Sequence, residues 1–427
     1  MSLAARVSQV LKGRTVQNLL ALYGVQFANY LLPLLTLPYL ARVLGPSGFG
    51  VLAVGQSLAQ YFSLVVEYGY SLSATREVAQ NRDDPIRLAR ILSGVLGARL
   101  FLSLIVTLLA WGLGTWIPVL REHPALLWSG VFWAIALGFS PIWYFQGLEH
   151  LREIALVEVL TKAMAVVGIF ALVRAPVDAY KVMLLQGLAS FVASGVAWVW
   201  AWREVGFLRP KFVWAYEALR LGWRLFFSIA ATTFYTSANS FILGIFVSPQ
   251  QVGYYAGAER LTRALLSLAY PLNRVYLPRL SYLVNHDPPT SQVLFKRNTL
   301  FMFLLGLGGI ALIWVFAPLA TRLFLGAEYT PSVALMRWLS LILVPVALAN
   351  VWGIQWMLAH RLDRDLNGIY IVAGLLGLGF MLVLVPQIGA VGVVVGVIVA
   401  EFFGTFSMAI VLNRRGFWPF GRQSEGA

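Results

Sequence analysis

Twelve apolar stretches, each about 20 residues long and so able to cross roughly 30 Å of hydrocarbon, follow one another along this chain with short connections. Their centres fall near Asn29, Gln60, Leu104, Ile135, Val166, Ser190, Tyr235, Ser267, Leu307, Val344, Leu376 and Val399. Backbone in hydrocarbon finds no water, so each stretch must close its hydrogen bonds internally, as a helix. The expected fold class is an all-α integral membrane protein with twelve transmembrane helices. Composition agrees: 59% of residues are apolar, 12% are charged and mean hydropathy is +0.76. That leaves too little polar surface to cover a soluble globule. Arg6, Lys12 and Arg14 precede a first span too long and too polar for a cleavable signal core.

The chain also repeats itself. At a constant offset of 203 residues, Pro46, Gly50 and Ala53 align with Pro249, Gly253 and Ala256, and Arg76, Asp84 and Pro85 with Arg279, Asp287 and Pro288. These residue types punctuate helices, where chance matches are rarer than in apolar sequence. Six spans separate the copies, an even number, so both halves share one orientation and are related by a pseudo-two-fold axis along the membrane normal. The expected bundles are residues 1–205 and 206–427, six helices each. Repeated membrane bundles are a transporter architecture, with the substrate site between the repeats and alternating access from rocking one against the other.

The net charge of +14 is distributed as a membrane topology rather than as a nucleic-acid surface. Of 32 Lys and Arg, 21 fall on the N-terminal side of the membrane, five on the opposite side and six inside spans. The positive-inside rule then places both termini in the cytoplasm, and attraction to anionic lipid explains much of the remaining basicity. A bacterial inner membrane with multiple passes is the expected location, with no nucleic-acid partner.

Several chemistries are excluded by what the sequence lacks. There is no cysteine, hence no disulfide or thiolate metal site. His123, His150, His286 and His360 lie near span ends without ligand spacing, so no metal is expected. No phosphate-binding loop, GxSxG elbow or HExxH helix occurs. The chain reads as a non-enzyme without cofactors.

The polar residues inside the spans are more informative. In the second span Gln56, Gln60, Ser63 and Glu67 recur at helical spacing and share a face. The repeat-related eighth span carries Glu259, Arg263, Ser267 and Arg274, with Arg260 beside them. Gln56 thus aligns with Glu259 and Gln60 with Arg263. The seventh span shows Ser228, Thr232, Tyr235, Thr236 and Asn239; the first offers Gln26, Asn29 and Thr36. Two readings compete. Small polar side chains serve as interhelical glue worth about 1 kcal/mol or less. Charges at mid-membrane cost at least about 2.5–3.5 kcal/mol each on insertion scales, so Arg260, Arg263, Arg274 and Glu259 must meet water, a partner or a substrate. A hydrated, cationic cavity lined by spans one, two, seven and eight satisfies them. Elsewhere, Arg99 and Lys162 sit where they can snorkel to headgroups. Glu158 is spaced to pair with Lys162, and Glu401 stands alone in an apolar last span as a packed, protonated carboxyl.

Leu44-Gly45-Pro46-Ser47-Gly48-Phe49-Gly50, Glu67-Tyr68-Gly69-Tyr70, Ala74-Thr75-Arg76-Glu77 and Trp143-Tyr144-Phe145-Gln146-Gly147-Leu148-Glu149 together resemble the polysaccharide-biosynthesis flippases of bacteria, often called O-antigen or Wzx-type flippases. The resemblance runs over nearly the whole chain. It implies the fold shared by multidrug and toxic-compound exporters, oligosaccharide flippases and the lipid II flippase. It also implies a substrate, an oligosaccharide repeat unit on undecaprenyl pyrophosphate, and as further partners the polysaccharide polymerase and chain-length regulator of the same pathway.

On that reading Arg260, Arg263 and Arg274 suit the pyrophosphate or an acidic sugar, because the planar guanidinium binds phosphate in bidentate fashion. Gln56, Gln60, Asn29 and Asn239 suit glycan hydroxyls, which donate and accept. Arg76, Arg279, Pro46 and Pro249 shape turns and the cytoplasmic gate. Glu67 and Glu259 are candidates for coupling or ion pairing. Glu67 is the better proton carrier, unless it only caps a network at its span's end; Glu259 holds the arginines. The residues name neither the glycan nor a coupling ion. The rival functions are a cation-coupled multidrug-type antiporter or lipid II flippase of the same fold, a membrane scaffold and a membrane enzyme.

Overall fold

Apolar runs fold as long helices, and no strand occurs among the described residues. The computed structural model describes residues 14–237, 239–267 and 270–418. The side chains of residues 14–30, 224–225, 227–229, 231–237 and 270–275 lie outside that description. Packing divides the chain into a first unit ending at Thr233 and a second beginning at Phe234.

In the first unit α1 (Arg14–Glu67) carries the first two expected spans in one run of 54 residues. A straight helix of that length would reach about 80 Å, more than twice a bilayer. Gly45 resolves this with a left-handed φ of 62° and ψ of 176°, and Pro46 restarts the helix behind it. Left-handed Tyr68 and Gly69 then separate α1 from the short α2 (Tyr70–Gln80). The long α3 (Pro85–Trp116) follows, then α4 (Pro118–Glu122), α5 (Pro124–Gly138) and α6 (Ile142–Leu148). The unit continues with α7 (Arg152–Leu172), α8 (Ala179–Val205) and most of α9 (Phe212–Ser237).

The second unit contains α10 (Asn239–Phe246), α11 (Pro249–Ser267), α12 (Tyr270–His286) and α13 (Pro288–Ala320). A π-helical turn (Thr321–Leu325), α14 (Ser332–Ser340) and α15 (Leu343–Ala349) come next. A second π-helical stretch (Asn350–Met357), α16 (Asp363–Ile388) and α17 (Ala390–Arg414) complete it.

Nine helical segments among the described residues are long and apolar enough to cross a membrane, against twelve expected. The first two spans merge into one run through Leu31–Gln80. The seventh and eighth spans include residues 238, 268 and 269, outside the described residues, and are not among the nine.

Matched local devices mark the two halves. Asp84 accepts from the backbone N–H of Arg87 at 2.9 Å and Pro85 opens α3; Asp287 accepts from that of Thr290 at 3.2 Å and Pro288 opens α13. Both are side-chain N-caps followed by proline. Farther on, Ser194 donates to the Ala136 carbonyl and Thr405 to that of Pro345. Gly206 and Gly416, both left-handed, end α8 and α17 ahead of Phe207 and Phe417. These later pairs lie 211 and 210 residues apart rather than 203. The π-helical stretches, which insert extra residues into a helix, fall in the interval where the register drifts.

The first unit extends beyond residue 205, through Thr233, because the start of α9 packs on it. A Cβ on Gly94 would lie 2.7 Å from the Trp214 carbonyl oxygen, and one on Gly222 2.6 Å from that of Tyr68. Ala218 joins the buried cluster of Tyr70, Leu92, Trp143 and Trp198. Backbone approaches this close need glycine.

Asp84→Ala should lower stability by about 1 kcal/mol, the usual worth of an N-cap, read as a lower melting temperature in detergent. Asp287 adds a pH dependence. The Thr290 side chain and N–H, which hydrogen-bond its carboxylate, hold that group below the usual range. Its contribution is therefore complete above the unfolded value and lost as pH falls through the folded one.

Candidate functional site

The charged stripe of the eighth span is assembled on α11 and its neighbours in the second unit. Glu259 and Arg263 are four residues apart on one face and form an ion pair: Arg263 Nε and a terminal guanidinium nitrogen both lie 3.0 Å from Glu259 Oε1. Asn239, 1% exposed on α10, donates its amide to the same oxygen at 3.1 Å. Glu259 is mostly covered, with 16% of its side chain exposed, whereas Arg263 keeps 42% exposed. The carboxylate thus works as an anchor that holds the guanidinium in place. Arg260, half-buried, interacts electrostatically with Glu259 and with Tyr329. Tyr255 is fully buried on the same helix beside Asn239 and Glu259.

Glu401 interacts electrostatically with Arg263, so the carboxyl read as packed and isolated belongs to this cluster. Arg263 therefore has a carboxylate on α11 and another on α17. The signal available in sequence was a lone acid in an otherwise apolar helix, and it gave no partner. Tyr255, Tyr329 and Gln186 were missed for a different reason. Aromatic and amide side chains are common in packed bundles, and only the tertiary fold brings these to the polar face.

Residues 268 and 269, between α11 and α12, lie outside the described residues, and Arg274 follows them on α12. Its side chain and that of Asn29 lie outside the described residues. In the first unit Gln56 is half-buried and points its amide at Gln186, at 3.4 Å, while Gln60 is exposed. The repeat-related positions therefore present amides in one unit and an ion pair in the other.

Glu67 is engaged by backbone. Its Oε2 accepts from Gly69 N–H at 3.1 Å and its Oε1 from Ser71 N–H at 2.7 Å. Those donors belong to the unsatisfied first turn of α2, so the geometry favours capping over proton carriage. Pro46 and Pro249 open helices, and Arg76 and Arg279 are exposed. Arg99 does not snorkel. It is 1% exposed, donates to the Ser140 carbonyl at 3.1 Å and lies 5.5 Å from the Tyr70 ring centroid and 6.0 Å from that of Trp143. Its charge is met by a carbonyl and two π-faces inside the protein rather than by headgroups. Lys162 and Glu158 form the expected ion pair.

Two of the motifs behind the family resemblance, Ala74–Glu77 and Trp143–Glu149, pack on one another. Thr75 Oγ1 donates to the Trp143 carbonyl at 3.2 Å, and Tyr144 Oη donates to Glu204 at 2.9 Å. Gly147 packs against Val78 and the Thr75 carbonyl. They build the junction of α2 with α6 and stand apart in sequence from the charged cluster.

A family model for polysaccharide biosynthesis proteins matches residues 15–284. A proposed O-antigen transporter of Escherichia coli K12 is 29% identical over 400 residues, 93% of this chain and 96% of that protein. One of Shigella dysenteriae is 27% identical over 395 residues, covering 90% and 96%. Among solved structures, the lipid II flippase MurJ in an inward closed conformation aligns with a TM-score of 0.71 at 13% identity, over 92% of this chain and 87% of that one. An inward-facing multidrug MATE transporter aligns at 0.68 and 15%, over 92% and 98%. At such identities the last two establish the fold alone, an all-α membrane protein. The family match covers more than half of the chain and includes all four motifs and the charged helix α11: the protein belongs to the polysaccharide biosynthesis protein family.

Proposed function

We propose that the chain is a flippase for oligosaccharide repeat units linked to undecaprenyl pyrophosphate, serving O-antigen or a related surface polysaccharide, in the bacterial inner membrane with both termini cytoplasmic. Relatives named as O-antigen transporters match it almost from end to end. The carrying observation is the α11 face, where Arg260 and Arg263 share an apolar helical body with one anchoring carboxylate, Glu259.

A pyrophosphate and a glycan cannot enter hydrocarbon without replacement of their hydration. Guanidinium forks replace it for the phosphates, and Gln56, Gln60 and Asn239 offer amides of the kind sugar hydroxyls need. Asn29 and Arg274 are assigned to the same tasks from their sequence positions. The prenyl chain remains in lipid. A cation-coupled drug antiporter calls for an apolar or acidic face, and the two arginines of α11 oppose it. Lipid II transport has only fold-level likeness behind it. The polysaccharide polymerase and chain-length regulator are proposed as partners on the same functional grounds, and Arg76, Arg279, Pro46 and Pro249 as elements of the cytoplasmic gate.

The test is deletion of the gene in its host, followed by analysis of lipid-linked glycans by leaflet. Repeat units on the prenyl carrier should accumulate on the cytoplasmic side, and plasmid-borne protein should clear them. Normal surface glycan with no accumulation, or accumulation in the outer leaflet, would overturn the proposal.

A further inference from the structure

A second charged site lies at the basic end of the first unit, away in sequence from the cluster on α11. The start of α3, the start of α9 and the end of α2 enclose a cavity of about 320 Å³. Arg87 and Arg90 on α3 line it together with Glu77 on α2 and Glu217 on α9. The floor is apolar, with Ile91, Val95 and Leu221 beside the indole of Trp214. Helical spacing explains the lining: 87, 91 and 94 share one face of α3, and 214, 217 and 221 one face of α9. The wall cannot close further, because α9 already touches α3 at Gly94.

The charges are the unusual part. Two guanidiniums and two carboxylates surround one cavity, yet among the described residues the charged group of none of the four forms an ion pair or hydrogen bond; Arg87 and Glu77 are bonded only through their backbone, to the Asp84 and Asn81 side chains. The site is neutral overall and offers both signs separately. A purely anionic ligand would meet two uncompensated carboxylates and a cation two uncompensated guanidiniums. A ligand carrying one phosphate and one ammonium satisfies both pairs. Exposed apolar side chains flank the cavity on the same helices, Ile86 at 66%, Phe212 at 86% and Val213 at 62% exposure. They suit the acyl chains of a lipid and not a soluble zwitterion.

We propose that this cavity binds the headgroup of a phosphoethanolamine-type phospholipid, its phosphate on Arg87 and Arg90 and its primary ammonium on Glu77 and Glu217. Phosphate takes the guanidiniums as charge-assisted donors, and the ammonium has three N–H groups to give to the carboxylates. A trimethylammonium headgroup keeps the charge but has no N–H to give. The protein should therefore distinguish ethanolamine from choline lipids of equal net charge, and the start of α9 acquires a lipid as part of its seat. The inference does not depend on the identity of the transported glycan.

The test is competition for the purified full-length protein among phosphatidylethanolamine, its mono- and dimethyl derivatives, phosphatidylcholine and phosphatidylglycerol with identical acyl chains, read by native mass spectrometry. Retention should fall stepwise with methylation, by about tenfold from ethanolamine to choline, the scale of a charge-assisted hydrogen bond. Glu77→Gln with Glu217→Gln should erase that preference while phospholipid still binds. Arg87→Gln with Arg90→Gln should weaken every phospholipid. All four residues are exposed or half-buried, so both double variants should melt close to wild type. A flat methylation series on the wild-type protein would overturn the proposal without any variant. So would preference for phosphatidylglycerol or a polyprenyl pyrophosphate, or an ethanolamine preference that survives loss of both carboxylates.

Discussion

Arg263→Ala should reduce export of the lipid-linked glycan by about 100-fold at unchanged abundance in the membrane, the scale expected when one partner of a desolvated charge pair is truncated. The substitution removes the guanidinium and leaves Glu259, 16% exposed and bonded to Asn239, without its ion-pair partner. The face then changes from holding two arginines against Glu259 and Glu401 to a net acidic one, which repels phosphate. Arg263→Lys keeps the charge and loses the fork, so it should recover part of the activity and remain about tenfold below wild type. Flux of labelled lipid-linked glycan in proteoliposomes, normalised to reconstituted protein, measures both. Wild-type flux in the alanine protein would remove Arg263 from substrate recognition.

Gly147→Leu should leave little folded protein in the membrane. A Cβ there would sit 2.6 Å from Val78 Cγ1 and 2.9 Å from the Thr75 carbonyl oxygen, with three more heavy atoms still to place. Backbone oxygen moves only with its helix, so α2 must shift, and with it the Thr75 contact to Trp143. Overpacking of this kind costs roughly 1–3 kcal/mol or more, against a total stability of about 5–15 kcal/mol. Gly112→Leu is the control, since a Cβ at Gly112 meets nothing within 4 Å. Fluorescence-detected size exclusion should show the first variant aggregated and the second monodisperse. Equal profiles would contradict the packing derived for the α2–α6 junction.

Much of the fold was legible because its signals are local. Apolar runs mark helices irrespective of tertiary context, and the Asp-Pro pairs at 84–85 and 287–288 cap helices wherever they occur. The break inside the first helical run was legible too, as Gly45-Pro46. The candidate site was legible in part for the same reason. Glu259 and Arg263 are four apart, and helical spacing alone predicts their contact. Hidden from the sequence was whatever depends on helices meeting. Glu401 lies far along the chain from Arg263, and no periodicity joins them. Arg99 looked free to snorkel because its depth in a span can be counted, whereas its burial under Tyr70 and Trp143 comes from other helices. Glu67 was readable both as a carrier, on its polar stripe, and as a cap; the two backbone N–H groups that engage it lie beyond the helix end.

The glycine contacts beneath α9 bear on how such a protein can be taken apart. The duplicated sequence suggests exchangeable cassettes, with a natural seam after residue 205. The chain is not sewn there, because Gly94 and Gly222 bind the following segment to the first unit. A chimera spliced at the sequence seam would give that unit a foreign α9, and the side chain replacing Trp214 would have to meet the same bare glycine. Hybrid transporters built from two relatives should therefore be joined near residue 233. Donors differing at Gly94, Gly97 or Gly222 should fail as partners however similar their remaining helices are.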